Sequence, residues 1–110
     1  MIGENMNIEE IRSHREEYRV LDEEHLGLVG AVNAIMDEIF SLESDLEVLY
    51  DEFDELSDEG EEFYKKMNIQ FEINDIENEI RGFSAEVSHM KYEISLIEER
   101  MSFLHFQLEH

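Results

Sequence analysis

Two runs of residues, each stepping alternately by three and four, leave this chain few ways to fold. The first is Ile11, His14, Tyr18, Leu21, His25, Leu28, Val32, Ile35, Ile39, Leu42, Leu46, Leu49, Phe53 and Leu56. The second is Ile69, Ile73, Ile76, Ile80, Phe83, Val87, Met90, Ile94, Ile97, Met101 and Leu104. Residues so spaced fall on one side of an α-helix and make the a/d seam of a coiled coil. With no proline and five glycines in 110 residues, little in the chain interrupts such helices.

The two seams are out of phase. Carrying the first beyond Leu56 would bury Gly60, Gln70 and Asn74. The register must therefore reset, and Ser57-Asp58-Glu59-Gly60 is the turn candidate. Asp58 and Glu61 have the spacing of a capping box for a second helix. The expected fold is all-α: a long antiparallel helical hairpin of coiled-coil type, dimerising into a four-helix assembly. Helix A is expected at about 7–56, the turn at about 57–60 and helix B at about 61–107, in one domain spanning 1–107. Residues 108–110, Leu-Glu-His, read as an expression-tag scar. The competing topologies are one unbroken helix in a parallel oligomer, and a three-helix chain broken at Gly27 and Gly30.

A turn centred on 57–58 would set Ile11 against Leu104, Tyr18 against Ile97, Val32 against Phe83, Ile39 against Ile76, and His25 beside Met90. Its flanks would pair Arg15 with Glu98, Asp22 with Lys91 and Glu17 with Arg100, all opposite in sign. The same register sets like charges together at Glu24–Glu93, Glu38–Glu79 and Asp45–Glu72. Small residues Gly82, Ser84, Ala85 and Ser88 would let helix B approach the apolar stretch 26–40.

Beyond the seams there is further apolar surface. Leu26, Val29, Met36 and Phe40 lie outside the first seam, and Tyr92, Leu96, Phe103 and Phe106 run down the outside of helix B. These eight are the candidate oligomerisation residues.

Charge excludes several functions. Thirty acidic residues against eight basic give a formal net charge of −22, which repels nucleic acid and anionic membranes. No apolar run approaches the roughly 20 residues of a membrane span, and the N-terminus lacks the features of a secretory signal. The expected location is the cytoplasm. Without cysteine there are no disulfides or thiolate metal sites. No nucleophile, phosphate loop or paired acid and base emerges, so the chain reads as no enzyme, with no cofactor.

Histidine offers one weak constellation. Asp22 to His25 and Glu86 to His89 have the Glu-x-x-His type of spacing seen in di-metal carboxylate bundles, but the seam around them is hydrocarbon and supplies no further ligands. A metal site is therefore a minor alternative. His14 and His25, being seam positions, read as register-setting polar residues, or as a switch that loosens the seam when protonated.

The most distinctive feature is acidic. From Val20 to Tyr64 there is no Lys or Arg, and the span holds 16 acids. Eleven of them crowd the turn: Glu43, Asp45, Glu47, Asp51, Glu52, Asp54, Glu55, Asp58, Glu59, Glu61 and Glu62. B-DNA carries one charge per ~1.7 Å, so a helical tract of ~70 Å matches about 40 phosphates. The chain's 30 carboxylates along such a tract resemble DNA in charge density. In composition the chain resembles the small acidic DNA mimics, among them phage inhibitors of restriction, CRISPR and DNA-repair proteins. That resemblance implies a viral, anti-CRISPR type of role: binding the basic nucleic-acid site of a partner protein through the eleven tip carboxylates. The alternative is a scaffold coiled coil that recognises its partner through Tyr92, Leu96, Phe103 and Phe106.

Overall fold

The computed structural model describes residues 6–109 and contains two helices. α1 spans Ile8–Glu55 and α2 spans Glu61–Glu109, joined by residues 56–60. No strand occurs among the described residues, and the fold is the expected all-α hairpin of two long helices. α1 passes Gly27 and Gly30 without a break, so the three-helix alternative is not adopted. The linker likewise rules out one continuous helix. α2 continues through Leu108 and Glu109, past the expected end at 107. Residues 1–5 of the expected domain, and His110 of the expected tag, lie outside the described residues.

Both helix starts are fixed by local polar bonds. Asn7 caps α1: its Oδ1 accepts from the Glu10 amide at 2.8 Å, and its Nδ2 donates to Glu10 Oε1 at 3.2 Å. This reciprocal pair satisfies one of the free donors every helix start leaves. α2 starts differently. Gly60 has φ of 67°, a left-handed conformation that side chains with a Cβ resist. The Ser57 amide donates to Glu62 Oε2 at 2.7 Å, and the Glu59 amide donates to Ser57 Oγ at 3.2 Å. The expected box between Asp58 and Glu61 does not form, because Asp58 instead takes Lys66 Nζ at 2.8 Å.

The chain forms two compact units. The terminal unit joins the segment up to Asn33 with the segment from His89 onward, and the turn unit is Ala34–Ser88. In both, every seam position is buried or half-buried. Among the described residues Leu104 and Val32 are the buried apolar residues of the terminal unit and Ile39, Leu42, Ile73 and Val87 those of the turn unit; of these Leu104 and Ile73 are fully enclosed. Each fully buried Leu or Ile contributes about 1.5–3 kcal/mol, so the seam supplies the main folding drive.

The pairing register differs from the expectation. In the terminal unit His25 Nε2 lies 3.3 Å from Glu98 Oε2, not beside Met90, and Glu98 is not held by Arg15. One groove there is lined by Tyr18, Asp22 and His25 from α1 and by Glu98, Met101 and His105 from α2. In the turn unit the Tyr50 hydroxyl donates to Glu77, whereas a turn at 57–58 would set Tyr50 opposite Lys65. In both units the contacts fall later along α2 than the expected register: His25 meets Glu98 and not Met90, and Tyr50 reaches Glu77 and not Lys65. The linker contributes to the displacement within the turn unit. The chain reverses at Gly60, not at 57–58, and the Ser57–Glu62 and Asp58–Lys66 bonds lay the linker along the first turns of α2. A later reversal point displaces the pairing by about twice its own shift, which is less than the displacement at either contact. Glu17 and Arg100 still meet, because both side chains are long enough to span the displacement.

Gly82, Ser84, Ala85 and Ser88 are all exposed, and a Cβ on Gly82 would meet no atom within 4 Å. They do not provide the close helix approach expected of them.

Candidate functional site

The turn unit carries most of the charge. Ala34–Ser88 contains 18 acidic and 3 basic residues, a net −15 of the chain's −22. Of the three cations, Lys66 is taken by Asp58 and Arg81 Nη1 donates to Asn78 Oδ1 at 2.8 Å. Lys66 also sits 4.5 Å from the centre of the Phe53 ring, a cation–π contact.

All eleven tip carboxylates are exposed. The sequence placed them around the turn, and the structure keeps Asp51, Glu52, Asp54 and Glu55 at the end of α1 and Glu61 and Glu62 on the first turn of α2. Of the eleven, only Asp58 has an ion pair among the described residues. Glu62 bonds the Ser57 amide; Glu43, Asp45, Glu47, Asp51, Glu52, Asp54, Glu55, Glu59 and Glu61 face solvent without a cation among the described residues. The crowding of Asp51, Glu52, Asp54 and Glu55 near a helix C-terminus also opposes the helix dipole, and α1 has no basic residue in its last turn.

The terminal unit handles its carboxylates differently. Arg19 bonds Glu16 Oε1 at 2.5 Å and Glu23 Oε1 at 2.7 Å. Arg100 bonds Glu17 through Nε at 2.6 Å and Nη2 at 2.9 Å, and lies 5.0 Å from the Phe103 ring centre. The guanidinium hydrogen bonds hold the carboxyls of Glu16 and Glu17 below their ordinary value. The same bonds raise Arg19 and Arg100.

Of the candidate oligomerisation residues, Leu26, Phe40, Tyr92, Leu96, Phe103 and Phe106 are exposed, while Val29 and Met36 are half-buried. Sequence reasoning missed a further apolar face in the turn unit. Phe63, Tyr64, Met67 and Phe71 are all exposed, Tyr64 at 69% and Phe71 at 59%. The signal was present: 64, 67 and 71 step by three and four on the side of α2 away from seam residues Ile69 and Ile73.

The histidines do not converge. His14 Nδ1 donates to the Glu10 carbonyl at 2.8 Å, and His89 Nε2 lies 2.8 Å from Glu93 Oε1. His25 is half-buried, with Nε2 3.3 Å from Glu98 Oε2. Among the described residues no group of three or more histidines and carboxylates is placed to hold a metal ion.

The expectation about membrane spans needs correction. α1 contains an 18-residue stretch of mean hydropathy 1.2, apolar enough by length and composition to cross a bilayer, with 11% of it buried. Asp37 and Glu38 interrupt the apolar stretch 26–40. A carboxylate at the centre of a bilayer costs about 3 kcal/mol on insertion scales.

These features define an acidic, two-helix coiled coil with an anionic and partly aromatic surface at its turn. The chain matches no family model, no curated protein and no solved structure.

Proposed function

We propose that this protein is a non-enzymatic, cytoplasmic coiled coil that occupies the basic nucleic-acid site of another protein, as phage-type DNA mimics do to defence or DNA-processing systems. The observation that carries the reading is the solvent-facing row of carboxylates around the turn, all exposed and nearly all without a cation of their own among the described residues. Charges held on helix ends need little reorganisation to meet a basic groove, and complementary fields speed the encounter. The test is capture from host lysate on the immobilised protein, with elution by a salt gradient and by duplex DNA. Release by both supports the reading. Retention at high salt, or capture of partner and DNA together in one complex, counts against it.

A second reading is assembly. Tyr92, Leu96 and Phe103 of the terminal unit are exposed apolar side chains on the outside of α2. A homodimer forming a four-helix assembly would cover them. Sedimentation equilibrium distinguishes the 13.1 kDa chain from its dimer. The di-metal alternative finds no group of three or more histidines and carboxylates among the described residues.

A further inference from the structure

We infer that the outer face of the first turns of α2, built on Tyr64, Met67 and Phe71 with Phe63 beside them, is a docking surface for a basic amphipathic helix of another protein. The inference rests on the reading of the turn unit as a surface for a basic partner. It adds an apolar component that charge mimicry alone does not need.

Tyr64, Met67 and Phe71 follow the i, i+3, i+7 spacing that presents one continuous stripe along a helix. The stripe points away from Ile69 and Ile73, which fill the seam, so the hairpin leaves it uncovered. Phe63 extends it, packed edge-to-face on Tyr64 with ring centroids 5.6 Å apart. Stripes of this spacing are matched by a second helix whose own apolar residues recur every three to four positions.

Charge decides the occupant. A second copy would bring another unit of net −15 against this one. Of the cations available to soften that repulsion, Lys66 and Arg81 are already bonded within their own chain. A helix flanked by Lys and Arg meets the opposite situation, with Glu61, Glu72 and Asp75 exposed on the same helix as the stripe. The chain also shows how such a cation is accommodated: Lys66 rests between the Asp58 carboxylate and the Phe53 ring. Aromatic faces among carboxylates thus suit a lysine- or arginine-rich helix.

The test uses the full chain and two fluorescent 18-residue peptides of identical Leu/Lys composition. One places leucine at helical i, i+3, i+4, i+7 spacing; the other scrambles the order. In anisotropy titrations the amphipathic peptide is expected to bind about tenfold or more tightly than its scrambled twin. The Tyr64→Ser/Phe71→Ser double variant should abolish that preference while still binding the scrambled peptide, and Phe71→Leu should retain it. Circular dichroism should show both variants folded, since neither side chain is buried. Equal binding of the two peptides, or a preference that survives the double variant, overturns the docking face and leaves the acidic-surface reading standing. Failure of both peptides to bind overturns both. A dimer that the double variant converts to monomer in sedimentation would make a second copy the occupant, and also overturns the proposal.

Discussion

Arg100 grips Glu17 with two guanidinium nitrogens although 83 residues separate them in sequence. The pair bridges α1 and α2 and sits beside the Phe103 ring. Because the bond holds Glu17 below its ordinary carboxyl value, the linkage has a definite sign. Its stabilisation is complete above the unfolded carboxyl range and is lost as pH falls through the lower folded value. Glu17→Gln should therefore flatten the acid limb of a stability-against-pH curve, measured by urea titration at successive pH values.

Tyr50 gives the converse. Its hydroxyl donates to Glu77, and that hydrogen bond raises the phenol above its ordinary value. Stability from this contact is complete below the unfolded phenol value and disappears as pH rises through the raised folded one. Tyr50→Phe should remove that alkaline loss, and ultraviolet titration should lose its most alkaline-shifted phenol step in that variant.

The seam makes a strong prediction about packing. Ile73 is 1% exposed, and Ile73→Ala should cost about 2–5 kcal/mol in denaturant unfolding. Phe71, two residues away and 59% exposed, should tolerate serine at well under about 1 kcal/mol. Equal costs at the two positions would mean that the face of α2 turned toward α1 is misassigned.

Two glycines should respond in opposite directions. At Gly60 the positive φ makes Gly60→Ala unfavourable by about 1 kcal/mol, although space is available. Gly82 lies inside α2 with nothing near a new Cβ, so Gly82→Ala should stabilise by about 0.5–1 kcal/mol. Paired melting curves would check both.

Replacing Asp51, Glu52, Asp54 and Glu55 with their amides should relieve repulsion at the end of α1 and raise the melting temperature. The same substitutions should weaken capture of the partner and flatten its salt dependence. Higher stability with unchanged capture would assign these carboxylates to solubility alone.

Much of the fold was legible because a two-helix seam is a one-dimensional pattern. The three-and-four spacing picked out Val32, Ile39, Ile73, Val87 and Leu104 without reference to any distant contact. The register was not legible, because it depends on how residues 56–60 fold. Gly60 in a left-handed conformation and Glu62 reaching the Ser57 amide set the path of the backbone there. At the candidate surface, the acidic residues could be read from a count. The apolar stripe at Tyr64, Met67 and Phe71 was spaced legibly too, but its exposure depends on what packs over it, and the fold leaves it uncovered.

The thin core has a biological corollary. With so few enclosed side chains among the described residues of two helices of 48 and 49 residues, local opening requires the separation of only a few contacts. Whatever binds the closed hairpin withdraws it from that opening equilibrium in proportion to ligand concentration. Proteases acting on open chains would then clear the surplus, so the protein's cellular lifetime would track the abundance of its target.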